Sequence, residues 1–162
     1  MSRLFTVLKF DKIINFNNIP GATHHSNSIP NGYCGFNWKN VAYMHESEAK
    51  DRLDGFKNAF TSSSYVAFNA GGRSMSIKSG TPVSLLSIVA CAVTNDNLQL
   101  TLTGSCSGHL MMTKAVILKT NKSKIIELGW KNIDEVHFDA EGGTPHTGAS
   151  TTRFAIGQLN LF

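Results

Sequence analysis

The feature that most constrains this chain is a strict alternation at residues 98–103, where Leu98, Leu100 and Leu102 are separated by Gln99, Thr101 and Thr103. Successive side chains of a strand point to opposite faces, so this spacing puts three leucines on one face and three polar groups on the other. A helix would spread the same leucines around its circumference. The period of two recurs downstream, where Val136 and Phe138 alternate with Glu135, His137 and Asp139. Residues 83–93 are nearly continuous in apolar and small side chains, and Asn95-Asp96-Asn97 follows them. Asn and Asp tolerate left-handed backbone and bond their own main chain, so this triplet predicts a hairpin that makes 83–93 and the leucine strand antiparallel neighbours. A second hairpin is predicted from 110–120 and 124–130, turning at Asn121-Lys122-Ser123. Earlier strands are expected at 4–10, 13–16, 38–44, 65–69 and 74–78.

Two details refine this pattern. In the last strand Phe154 and Ile156 share one parity while Leu159 and Leu161 share the other, which predicts a β-bulge near Gly157-Gln158 that restores the inward direction. Ala49, Leu53, Phe56 and Phe60 recur at helical spacing after Ser47, a suitable N-cap, but Gly55 limits the helix to one or two turns. A long polar loop is expected over 140–152. Many short strands between Gly- and Asn-rich turns, with no alternation of strands and helices, define an all-β, antiparallel β-sandwich of jelly-roll type with at most one short helix. The 162 residues, 41% hydrophobic and 16% charged, suit one domain spanning 1–162 and exclude disorder and coiled coil.

Composition also narrows the function. A net charge of +4 is far from the dense basic patch of a nucleic-acid binder, and Lys114, Lys119, Lys122, Lys124 and Lys131 read as solvating a sheet edge. No stretch has the length of a membrane span. The apolar run at 4–10 is too short and interrupted for a signal peptide, which favours the cytoplasm. Cys34, Cys91 and Cys106 are an odd number at wide spacings, against a disulfide framework or a zinc site.

Chemistry of catalysis is not apparent. Gly104-Ser105-Cys106-Ser107-Gly108 has the spacing of a nucleophile elbow, but strand-like sequence on both sides makes it a glycine-rich hairpin loop. His24 and His25 are adjacent, His45 lacks a second metal-binding histidine, and His109, His137 and His146 are scattered, so no metal set emerges. Asp139 and Glu141 are too few for calcium, and no carboxylate pair is flanked by apolar residues that would raise one pKa. Neither a phosphate-cradling loop nor a dinucleotide fingerprint is present, so no cofactor is expected.

The span from Ile29 to Asn40 does stand out, because turn formers, amides and large aromatics are interleaved in it. Aromatic faces beside amide side chains suit sugars, whose C–H groups stack on rings while hydroxyls take hydrogen bonds. Phe36 and Trp38 also share strand parity, so the same residues fit a hydrophobic core. The candidate ligand residues are His24, His25, Asn31, Tyr33, Trp38 and His146, expected in or beside loops at one end of the sandwich.

These residues bear a resemblance. Asn31-Gly32-Tyr33-Cys34-Gly35-Phe36-Asn37-Trp38, Val66-Ala67-Phe68-Asn69, the segment from Trp130 to Phe138, and Phe154-Ala155-Ile156 resemble a family of β-sandwich proteins of fungi and bacteria, often secreted and similar to carbohydrate-binding modules. The likeness spans most of the chain from about Ile13 onward. It implies the sandwich, and it makes a secreted location the alternative to a cytoplasmic one. Phe16-Asn17-Asn18 and Gly157-Gln158 stand where that family has acidic residues, so no calcium is expected there. The expected function is non-enzymatic recognition of a glycan or another polar ligand. The alternative is a structural or interaction domain that forms a homo-oligomer through a sheet face.

Overall fold

The computed structural model describes residues 12–146 and 149–162, and the strand expected at 4–10 lies outside them. The strands are β1 (Lys12–Ile14), β2 (Asn27–Ser28), β3 (Phe36–Lys39), β4 (Val41–His45), β5 (Tyr65–Asn69), β6 (Met75–Ala92), β7 (Asn95–Asp96), β8 (Leu98–Cys106), β9 (His109–Leu118), β10 (Lys124–Glu141), β11 (Thr144–Pro145) and β12 (Phe154–Leu161). The α-helix, α1, is Glu46–Ala49. Every pairing is antiparallel.

The pairing resolves into two layers joined by two long strands. In layer one the order is β2, β4, β5, β12, the second half of β6 and the first half of β10, with β1 also on β12. Layer two runs β3, the first half of β6, the second half of β10, β8 and β9. β6 and β10 therefore belong to both. The crossing in β10 falls between Glu127 and Glu135, where the register shifts repeatedly and Gly129 (φ 63°) and Asn132 (φ 55°) take left-handed backbone. Such bulges let a strand turn a corner between packed sheets.

Strands lie at most of the expected positions, but 74–78 and 83–93 are one strand, β6, the segments at 124–130 and 136–138 are one strand, β10, and two connections differ. β6 and β8 are not neighbours, because β10 lies between them, and β9 does not pair with β10. The segments after Ala92 and after Leu118 both carry the chain from one layer to the other. They bond to each other: Ala92 N donates to the Lys119 carbonyl at 3.0 Å, and Thr120 N donates to Asp96 Oδ1 at 3.0 Å. The tight hairpin is β8 to β9, whose two-residue turn Ser107-Gly108 (φ 50° and 78°) suits strand twist. The segment expected as one strand at 38–44 is split into β3 and β4 at Asn40 (φ 57°), so its halves join different layers.

The core sits between the layers. Leu98, Leu100 and Leu102 are fully buried, and the Phe138 ring of layer two lies 6.0 Å from the Phe154 ring of layer one. Each such leucine contributes about 1.5–3 kcal/mol relative to exposure. The expected bulge is present: Ile156 opposes Ala90 and Gln158 opposes Val89, leaving Gly157 unpaired, and Leu159 and Leu161 return to the core.

A second apolar cluster covers the outer face of layer one. Ala42, Phe68, Ala155 and Cys91 lie in one register row, and the segment after β4 lays Ala49, Phe56 and Ala59 over them. Phe56 is 0% exposed and meets Phe68 edge to face at 5.2 Å. Ala49, Phe56 and the half-buried Phe60 thus close a face of the sandwich, and Leu53 is 96% exposed. The helix is capped by His45 instead of Ser47, its Nδ1 accepting from Ser47 N at 3.1 Å.

Candidate functional site

Among the described residues, layer two has no such cover. Its outward residues form rows fixed by register: Asn37, Lys78, Glu135, Ser105 and Leu110, then Lys39, Ser76, His137, Thr103 and Thr113, polar except for the exposed Leu110 at the β9 end. At the β3 side of this face an open groove of about 520 Å3 is lined by Asn31, Asn37, Lys39, Asn40, Lys78, Glu135 and His137, with Trp38 at its floor. That volume falls within the roughly 300–1,000 Å3 typical of small-ligand sites. Glu135 sits between two partners, with His137 Nε2 at 2.5 Å and Lys78 Nζ at 3.9 Å. Exposed pairs of this kind add little to stability, so these groups are available for other partners.

The Asn31 to Trp38 stretch builds the floor of that groove by closing on itself. Asn31 Oδ1 accepts from Trp38 N at 2.9 Å, Trp38 Nε1 donates to the Tyr33 carbonyl at 3.0 Å, and the Tyr33 hydroxyl donates to Asn18 Oδ1 at 2.9 Å. Gly32 (φ 94°) and Gly35 (φ 82°) occupy backbone that side chains rarely adopt, which is why glycines hold these turns. Phe16, Tyr33, Phe36 and Trp38 pack at ring separations of 5.8 to 6.3 Å. Burial pushes the Tyr33 phenol well above its ordinary range, and the neighbouring Cys34 adds to that, so the hydroxyl stays protonated and keeps donating.

The six expected ligand residues do not share one rim. Tyr33 and Trp38 are each 6% exposed, so their rings belong to the core and leave no open face for a sugar to stack on. Asn31 touches both the groove beside Trp38 and a shallow depression beside Tyr33. At the far end of β4, His24 stacks on His45 at 3.8 Å, and His25 faces Glu48 at 3.7 Å. His146 lies elsewhere again, beside Thr94, whose carbonyl accepts from His146 N at 2.8 Å. Sequence reading missed Asn37, Lys39, Lys78, Glu135 and His137 as one set. The signal was present for Lys39, Lys78, Glu135 and His137, which lie in strands already recognised, whereas Asn37 falls just before the strand expected at 38–44.

Other candidate chemistry resolves simply. Cys106 precedes the Ser107-Gly108 turn and β9 begins at His109, so no helix follows to supply an oxyanion site. Among the described residues no group of three or more His, Cys, Asp or Glu could hold a metal ion, and no helix is long and apolar enough to cross a membrane. Asn69, at the end of the Val66-Ala67-Phe68-Asn69 stretch, is a structural staple: Oδ1 accepts from Phe154 N at 2.8 Å and Nδ2 donates to the Thr152 carbonyl at 2.9 Å.

No protein-family model matches the chain, and no curated protein matches it. Among solved structures it is similar to the carbohydrate-binding module TmCBM61, determined in complex with beta-1,4-galactotriose, at 12% sequence identity and a TM-score of 0.42, covering 82% of this chain and 94% of that one.

Proposed function

We propose that this chain is a non-enzymatic recognition module that takes a carbohydrate into the groove on the outer face of layer two. The observation that carries this reading is the contrast between a bare polar face with a groove and a covered apolar face on the same sandwich. Asn31, Asn37 and Asn40 supply amides that both donate and accept, Lys39, Lys78 and Glu135 add charged partners, and His137 adds an imidazole. That mixture suits neighbouring hydroxyls, each of which is donor and acceptor at once. Because the groups project mainly from paired strands, little order is lost on binding. With Trp38 buried, selectivity comes from the pattern of hydroxyls rather than from ring stacking. A glycan array followed by calorimetry tests this: binding by the native chain that Asn37→Ala or His137→Ala removes supports the groove. Silence across neutral glycans sinks it.

A second reading has its own observation. β9 is the outer strand of layer two, and Leu110, Met111 and Met112 expose 66%, 54% and 39% of their surface on it. An apolar strand whose edge is unpaired among the described residues is suited to pairing with a second copy. Light scattering that finds a dimer, lost on replacing Leu110 and Met112 by lysine, favours this reading.

A further inference from the structure

Charged groups also converge in a cleft of about 260 Å3 between the turn at 52–54, Thr94 and the residues preceding β12. Two guanidinium groups line it, each laid on an aromatic ring: Arg52 is 4.9 Å from the Phe56 centroid and Arg153 is 5.7 Å from that of Phe68. Stacking of this kind holds a planar cation in place before any ligand arrives. The two arginines differ in what answers their charge. Arg52 donates from Nε to Asp54 Oδ2 at 2.8 Å, with a second nitrogen at 2.7 Å from the same oxygen. Arg153 has no acidic partner among the described residues, and its Nε is shut away from solvent without a hydrogen-bond acceptor there.

The backbone around Arg153 is nonetheless well anchored. Its N–H donates to Thr94 Oγ1 at 2.7 Å, and its carbonyl accepts from Val93 N at 3.0 Å. Thr94 also receives the His146 N–H, which brings a second nitrogen-bearing side chain to the same cleft. With Arg52 and Asp54 cancelling, the lining keeps the single positive charge of Arg153. The guanidinium that lines the cleft carries further N–H donors on its Nη atoms, and a planar or tetrahedral oxyanion pairs with these.

We propose that this cleft binds an oxyanion, a carboxylate, sulfate or phosphate group, with Arg153 as its principal partner and His146 beside it. The site is separate from the polar groove on layer two, so either can fail without the other. The test is a titration of the full chain with sodium sulfate, phosphate or acetate against sodium chloride at equal ionic strength, followed by 1H–15N spectra. Saturable shifts at the amides of Thr94, His146 and Arg153 are expected with the oxyanions and not with chloride. Arg153→Gln should weaken binding at least about tenfold, the scale of one charged hydrogen bond. Asp54→Asn should tighten it, because the change removes the competing carboxylate while an amide oxygen still caps Phe56 N.

A response equal to that with chloride overturns the proposal, as does an unchanged response in a natively folded Arg153→Gln. If that variant does not fold, Asp54→Asn decides, and unaltered affinity there also overturns it. A tri-galacturonate that binds more tightly than acetate identifies the oxyanion as one carried on a sugar. Equal affinity identifies a free anion.

Discussion

On layer one the outward row reads Ala42, Phe68, Ala155 and Cys91, and on layer two it reads Asn37, Lys78, Glu135 and Ser105 before ending on the edge strand at Leu110. Both rows come from antiparallel strands that bury their other side in the same core. The apolar row gathers a second shell of chain, residues 46–60, because leaving Phe68 and its neighbours in water would forfeit their burial. Among the described residues the polar row gathers no such shell, since covering Lys78, Glu135 and His137 would strip their hydration without replacing it. A sandwich face thus becomes core or surface according to the residues on one parity, and only the second kind is free to meet a ligand.

The sharpest way to break this contrast is Phe56→Ala. Phe56 is fully buried against Phe68, so its loss should cost about 3–5 kcal/mol in urea unfolding. The same variant should expose Cys91, whose thiol burial pushes up to about 12, with Asp96 adding to the effect. A thiol reagent at pH 8 should therefore modify Cys34 and Cys106 in the native chain and reach Cys91 only in the variant or after unfolding. A variant as stable as the native chain would mean the cover is not a second core.

Gly157→Ala comes next. A Cβ there would lie 2.1 Å from the Ala59 carbonyl oxygen, so the cover must shift, at a cost of about 1–3 kcal/mol seen as a lower melting temperature. Asp96 tests the seam between the layers. Its carboxyl is held below its ordinary value chiefly by the Thr120 N–H, with Lys119 also favouring the charged form. A depressed folded-state pKa gives stability that is present above the ordinary 3.8 and lost as pH falls through the folded value. Asp96→Asn should flatten that acid limb in melting curves recorded from pH 5 to 2. The smallest stability effect belongs to the bare face: His137→Ala should change unfolding by less than about 0.5 kcal/mol while removing glycan binding.

Much of the fold was legible because parity is a local property. Leu98, Leu100 and Leu102, the strand at Tyr65–Asn69 and the Gly157 bulge all follow from counting by twos. Strand order was not legible, since Asn95-Asp96-Asn97 and Asn121-Lys122-Ser123 look like hairpin turns whether a chain folds back in its own sheet or crosses to the other. Their choice depends on bonds to each other, between Asp96 and Thr120, that are distant in sequence. The candidate site was half legible. Asn31 and Trp38 were singled out, yet aromatics drew attention to a segment whose hydrogen bonds are internal, while Lys78, Glu135 and His137 come from strands that only the pairing brings side by side. Arg153 could not be foreseen, because its isolation is a property of the packed surroundings rather than of its neighbours in the chain.

The sharing of β6 and β10 between the layers has a mechanical consequence. Glu135 and His137 stand on the same continuous strand whose earlier residues, Ile126 and Trp130, are locked into the hydrophobic interior. The polar face is thus tethered to the interior through the bulged corner between Glu127 and Glu135, so that corner sets how Glu135 and His137 are held.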